Sequence, residues 1–313
     1  MTEKSRQVMG WGKPSEIGIE EFWDARPIFS VNSEFSLADK MKLFFFPKKL
    51  LLYNWIEKSL KEKRKANKQT GKFSKLRILD IGCGTGASVI EMKKMWGKKV
   101  EVYGVDVIKI QIELAKKRVK EYGVWAKFDF YENDLLPFQN NFFDVVFSSD
   151  VLGHVKDVPN WLEELQRVLV LGGRLAMFSE SKLGKHAYIR NYLYKRGCNT
   201  DPHAEFHISL YSKDELKNLL ENSSFEIKKM YTAFWLSFFV HPDEFYEALQ
   251  KQKRFFFLRN INKVLYWIKK KTQPVSTALA EFYGLVEMLT LGKFLEVQGY
   301  IVLAKKTNHN KDT

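Results

Sequence analysis

Short apolar runs alternate with amphipathic stretches through the middle of the chain. Residues 76–81 form a compact apolar run that ends in glycines. Residues 85–96 carry helical periodicity, 100–105 are short and β-branched, and 109–122 are helical again. Residues 125–131 and 143–149 read as strands. The spacing predicts a helix over 158–169 ended by Gly172–Gly173, then a strand over 174–179. Ser212 with Glu215 three residues later makes a capping box, which predicts a helix to about Asn222. Residues 225–235 and 300–305 are the last strands. Strand–helix alternation of this kind predicts a parallel α/β sheet covered on both faces. Residues 1–74, 181–211 and 236–296 fall outside the pattern.

Composition adds bounds. The 313 residues are 45% apolar, enough for one large domain with additions. No apolar run approaches the roughly 18 residues of a spanning helix; residues 233–240 are the nearest. The opening MTEKSRQVMG lacks the apolar core of a signal peptide. Two cysteines, Cys83 and Cys198, make neither a disulfide framework nor a cysteine-based zinc site. A cytoplasmic location is the expectation, with peripheral attachment to a membrane as its variant.

Charge is uneven. Lys and Arg number 51 against 37 Asp and Glu, a net of +14, and there are 25 Phe. Between Ala248 and Ala280 stand Lys251, Lys253, Arg254, Arg259, Lys263, Lys269, Lys270 and Lys271, with no acidic residue. An anionic partner is one implication, a merely soluble surface the other. On a helix at 100° per residue, Phe257, Leu258, Ile261, Val264, Leu265 and Ile268 share an arc of about 120°. Lys263, Lys269 and Lys270 lie outside it, with Phe255, Phe256, Tyr266 and Trp267. Basic residues flanked by aromatics fit a helix in an anionic membrane interface; a lid over a substrate with its lysines in water fits equally. Leu52, Trp55, Ile56 and Leu60, after the run Phe44-Phe45-Phe46, have similar spacing. Nucleic acid is disfavoured, because no RNA-binding module is legible and triple-Phe runs suit acyl chains better than bases.

The chemistry lies in Leu79-Asp80-Ile81-Gly82-Cys83-Gly84-Thr85-Gly86. A strand ends, glycines turn the chain, and a helix begins with its N–H groups aimed at a ligand. Asp106, 20 residues past Gly86, ends the next strand, where a carboxylate accepts both hydroxyls of a ribose. Gly82, Gly84 and Ala87 also match a dinucleotide fingerprint. Asp80 discriminates: a carboxylate repels a pyrophosphate but attracts the ammonium of a methionine moiety. The turn therefore suits S-adenosylmethionine better than NAD.

With these residues the sequence resembles the class I S-adenosylmethionine-dependent methyltransferases of the small-molecule and lipid branch, over about 75–235 and 297–305. Asp80 to Gly86 resembles the first motif, with Gly82, Cys83, Gly84 and Gly86 at the cofactor. Val102 to Asp106 resembles the second, with Val107 beside the ribose ligand. Asn133 to Phe138 resembles the adenine-edge segment, in which Asp134 would face the exocyclic amine and Leu135 would pack on the ring. Phe143 to Val155, with Ser149, resembles the fourth strand and the loop after it. The resemblance implies a Rossmann-like sheet of seven strands, the last antiparallel and inserted between the fifth and sixth. With the segments that fall outside the strand–helix pattern, the expectation is a helical cap over 1–74, a methyltransferase domain over 75–306 with 181–211 and 236–296 inserted as a substrate lid, and a tail over 307–313.

Methyl transfer to a hydroxyl or amine needs a proton acceptor. His154, Asp150, Glu180, His186, His203 and His207 lie after the strands' carboxyl ends, where an open α/β sheet places its substrate. His154 is the first candidate, with Asp150 and His207 behind it. The run Asp201 to His207 has ligand-type side chains without metal spacing, so no metal is expected. Methyltransferases of exocyclic amines carry an Asn/Asp-Pro-Pro-aromatic motif where this chain reads Ser148-Ser149-Asp150-Val151. The expectation is methylation of a small or lipid-like acceptor. RNA methylation and cofactor binding without catalysis are the alternatives, and the oligomeric state stays open.

Overall fold

The computed structural model describes residues 25–31, 34–132, 135–201, 204 and 206–308. The elements run α1 (Leu37–Lys42), α2 (Pro47–Thr70), β1 (Leu76–Ile81), α3 (Ala87–Trp96), β2 (Val100–Asp106), α4 (Lys109–Glu121), β3 (Lys127–Phe130), β4 (Phe143–Ser149) and α5 (Val158–Val168). They continue β5 (Leu169–Ser179), α6 (Tyr188–Tyr194), α7 (Lys213–Asn222), β6 (Phe225–Ala233), α8 (Ser237–Val240), α9 (Asp243–Gln250), α10 (Phe256–Thr272), α11 (Val275–Thr290) and β7 (Gln298–Lys306). The sheet order is β3-β2-β1-β4-β5-β7-β6. β7 pairs antiparallel with both β5 and β6, and the other pairings are parallel. This is the seven-stranded arrangement that the motifs imply.

Period-2 alternation sorts the sheet into two cores. Ile78, Val102, Val145 and Ala176 face α2, α3 and α4, joining Leu52, Ile56, Ile90 and Ile112. Leu79, Val105, Val146 and Leu175 face the other way, joining Leu162, Leu165, Leu216 and Leu220. The α7 capping box is present: Glu215 N–H donates to Ser212 Oγ, and Ser212 N–H donates to the Glu215 carboxylate.

Two expectations change. Gly172 and Gly173 do not separate a helix from a strand; they lie within β5, which starts at Leu169. Pairing with β4 jumps from Phe143–Leu169 to Val145–Arg174, so 170–173 bulge out of the ladder. Gly172 takes φ +73°, and a Cβ on Gly173 would come within 2.7 Å of the Val170 carbonyl. The second change concerns Leu52, Trp55, Ile56 and Leu60, which are buried on the sheet. α2 is thus a core helix, and Phe44, Phe45 and Phe46 just before it stay exposed, as do Leu37 and Met41.

The inserted segments build a third, small core. Leu193 and Cys198 from 181–211 pack with Phe238, Phe245, Leu249 and Phe255 from 236–296, and Leu258, Ile261 and Leu265 of α10 close over them. α11 packs on the turn Leu43–Phe45 and on α2, which brings the insertion over the strands' carboxyl ends.

Candidate active site

The turn after β1 is tied to β2. Gly82 and Cys83 N–H both donate to the Val105 carbonyl, at 2.8 and 3.0 Å. Gly82 has φ +68°, and an added Cβ would overlap the Val151 side chain. Gly86, at φ +82°, is the N-cap of α3. The turn opens on a cavity of about 390 Å³ lined by Asp80, Gly82, Cys83, Gly84, Asp106, Gln111, Phe147 and Ser149, and also by Asp150, His154, Glu180 and His207.

The charges in this cavity are unusual. Asp80 is buried, and its Oδ2 has no hydrogen-bond partner among the described residues. Burial, then the charges of Asp106 and Glu91, push its carboxyl well above the usual range. Asp106 accepts from Gly84 N–H at 2.8 Å and Ile108 N–H at 2.9 Å, yet burial still pushes it up to about 6. The neighbouring Glu91 is already engaged by Lys49 at 2.6 Å, by Tyr53 and by Ile28 N–H. Buried carboxylates with so little cationic compensation are costly unless a positive group joins them. The methionine ammonium and the sulfonium of S-adenosylmethionine are such groups, and ribose hydroxyls would donate to Asp106. The residues present therefore fit that cofactor, whose amino acid end Asp80 would hold and whose ribose Asp106 would hold. Cys83 packs against Gly104, and burial and the two aspartates hold its thiol protonated.

The remaining site residues are distributed as follows. Gly86 and the buried Val107 flank the cavity without lining it. Leu135 is exposed, while Leu136 is buried and donates its N–H to Glu164. Asp134 and His203 lie outside the described residues. His186 sits elsewhere, its Nδ1 accepting from Glu296 N–H at 3.0 Å.

Asp150, His154 and His207 come together. Asp150, at φ +59°, is paired with Lys48 at 3.1 Å and accepts from Ser149 Oγ at 2.7 Å. Desolvation pushes its carboxyl up, but Lys48 and Ser149 together bring it below the usual range. His154 is buried, with Nδ1 3.0 Å from the Phe206 carbonyl. His207 Nδ1 is 2.8 Å from Asp201, and its ring centroid is 5.1 Å from that of His154. Glu180 completes the group, its carboxyl pushed up to about 7 by burial and by Asp150.

A second cavity, of about 610 Å³, abuts the first and shares Lys49, Asp150 and Glu180 with it. Phe46, Phe178, Tyr231, Phe234, Met288 and Ile301 supply apolar wall; Lys48, Arg190, Asp243, Glu244 and Glu281 supply ionisable groups, and His241, pushed down to about 4 by burial and by Lys269, supplies a neutral imidazole. Sequence reasoning missed Lys48, Lys49, Gln111 and Arg190. The Pro47-Lys48-Lys49 step was a local signal, but it reads as the polar edge of an amphipathic segment until the fold turns it inward.

A model of the methyltransferase domain matches residues 72–234, more than half of the chain. The chain belongs to the methyltransferase-domain family, in its class I, S-adenosylmethionine-dependent form. Among curated relatives, it is 27% identical over 175 residues to a demethylmenaquinone methyltransferase of Lactobacillus johnsonii, covering 49% of this chain and 72% of that protein. It is 31% identical over 159 residues to the O-methyltransferase rstn1 of Aspergillus nomiae, covering 48% of this chain and 64% of that one. Among solved structures, the [4+2]-cyclase SpnF superposes with a TM-score of 0.49 at 16% identity, over 97% of this chain and 94% of that one. The domain match stops at Phe234, so the helices α8 to α11 that follow lie outside it.

Proposed function

We propose that this methyltransferase methylates a small, lipid-like acceptor bound in the 610 Å³ cavity under the inserted helices. The carrying observation is the wall of Lys49, Asp150 and Glu180 common to both cavities. S-adenosylmethionine, when bound, supplies an electrophilic methyl group on a sulfonium. The chain's part is mainly positioning, since the leaving group is neutral. Phe46, Phe178 and Phe234 receive an apolar body. Asp150 and Glu180, backed by His154 and His207, orient the polar end. The volume suits an acceptor of drug-like size. The names of the Lactobacillus and Aspergillus relatives support a quinone-like or hydroxyl-bearing acceptor. The test is incubation with labelled S-adenosylmethionine and a cell extract, followed by separate recovery of lipids and RNA. Label in an apolar small molecule supports the reading. Label in RNA would overturn it, and cofactor binding without any transfer would point to a non-catalytic protein.

The finer reading is that residues 248–280 rest on an anionic membrane surface. No helix among the described residues is long and apolar enough to cross a membrane. α10 leaves Phe256, Phe257, Val264, Trp267 and Ile268 exposed beside Lys263, Lys270 and Lys271. Half of the expected apolar arc, Leu258, Ile261 and Leu265, instead packs inward. Lys269 also turns inward, pairing with Asp243 and with His241 at 3.3 Å. On α11 the stripe Val275, Leu279, Phe282, Val286 and Leu289 is exposed as well. Apolar faces bordered by lysines fit an interface with anionic lipid.

A further inference from the structure

The carboxyl ends of β4 and β5 gather three side chains that no single segment contains. His154 ends the short 3-10 turn after β4, Glu180 follows β5, and His207 comes from the stretch before α7. One ligating atom from each lies within 4.8 Å of the others, and His207 Nε2 is 4.0 Å from Glu180 Oε1. The two loops are laced together. Ile208 and Ser209 N–H donate to the Gly153 carbonyl at 2.8 and 3.0 Å, and Ser209 Oγ donates to the Val155 carbonyl at 2.5 Å. Gly153 leaves room for the cluster: a Cβ there would stand 3.0 Å from Glu180 Oε2 and 3.2 Å from His207 Cδ2.

The tautomers are set by the partners of Nδ1. A carbonyl only accepts, so His154 Nδ1, 3.0 Å from the Phe206 carbonyl, carries the proton and Nε2 carries the lone pair. The Asp201 carboxylate at 2.8 Å likewise holds the Nδ1 proton of His207. An imidazole whose Nδ1–H is held by a carbonyl or a carboxylate is the arrangement found behind metal-ligating histidines.

We propose that His154, Glu180 and His207 bind a divalent transition-metal ion at the wall between the cofactor and acceptor cavities. Two imidazoles and one carboxylate suit ions such as Mn²⁺, Fe²⁺, Co²⁺ or Zn²⁺ better than Mg²⁺ or Ca²⁺, which prefer all-oxygen sites. Metal–ligand bonds of about 2.1 Å hold adjacent ligand atoms roughly 3–3.5 Å apart, so side-chain movements of about 1 Å close the triad. Three protein ligands leave open positions. Because Glu180 also lines the acceptor cavity, an acceptor oxygen reaches them and loses its proton to water more readily when bound. The purpose of the ion rests on the methyltransferase reading; its coordination does not.

The full chain, dialysed against EDTA, is titrated with CoCl₂ and followed by visible absorption, with S-adenosylmethionine affinity measured by calorimetry on the same samples. One equivalent of Co²⁺ is expected to bind with d–d bands. The bands are lost in His207→Ala, and Asp201→Asn weakens the affinity at least about 10-fold. No saturable Co²⁺ binding by the unmodified chain overturns the site, as does a spectrum unchanged by His207→Ala. If cofactor binding persists without Co²⁺ binding, the metal site alone fails. If Co²⁺ binds and S-adenosylmethionine does not, the methyltransferase reading fails and the metal site stands.

Discussion

The cofactor half of this molecule and the inserted helices proposed as its lid are built on different physics. From β1 to β5, consecutive residues serve opposite cores, so alternation in the sequence is alternation in space. The lid has only a small core of its own, centred on Phe238, Phe245 and Leu249. It buries polar groups such as Asn262 and Lys269 and leaves apolar faces of α10 and α11 outside. On the proposed reading, the first region takes a cofactor of fixed shape through backbone and carboxylates, and the second encloses the acceptor.

The sharpest way to break this comparison is to remove one charge from the cofactor half. Asp80→Asn is expected to weaken S-adenosylmethionine binding by about 100-fold or more, while the Tm of the ligand-free protein holds or rises, because a poorly compensated buried carboxyl has gone. Unchanged calorimetric affinity would remove Asp80 from the site.

A pair of glycines comes next. Gly82→Ala, with φ +68° and an overlap with Val151, should cost about 3 kcal/mol or more of stability and abolish cofactor binding. Gly284→Ala in α11 pushes on Phe234, a wall of the acceptor cavity. Its expected effect is about a 10-fold rise in acceptor KM with unchanged affinity for the cofactor. Equal damage to both ligands would show that lid and cofactor half are not separable.

A smaller effect follows from pH. Asp106 is raised to about 6, and Asp80 is raised as well, so both hold protons in the free protein more readily than an exposed carboxyl would. The cofactor requires them charged, so binding releases protons and affinity falls as pH drops through about 6. The sign for folding is the reverse: the Asp106 contribution is favourable below its unfolded value and is lost as pH rises through about 6. Calorimetry in buffers of different ionisation enthalpy measures the protons released, and none released at pH 6 would contradict the assignment.

The mildest prediction concerns the outer face of the lid. Trp267→Glu with Ile268→Glu should reduce co-sedimentation with anionic vesicles several-fold and leave Tm within about 1–2 °C, since both side chains are exposed. Equal sedimentation of variant and parent would detach this face from the membrane.

The sequence alone determined the α/β character of the sheet, the helix capped by Ser212, and the glycine turn that follows Asp80. Each is a local pattern, either an alternation, a cap or a glycine step, read over a few consecutive residues. The family resemblance carried those to the seven-stranded sheet with its antiparallel insertion. Only the tertiary structure decided that Gly172–Gly173 bulge within β5 and that α2 belongs to the core. It also decided that α10 turns Lys269 inward and Trp267 outward. His154, Glu180 and His207 show the reason most clearly. The spacing within 201–207 carries no metal signature, because the three side chains come from three loops that approach one another only after the sheet has formed. Local chemistry is written along the chain, whereas convergence is a property of the packed strands.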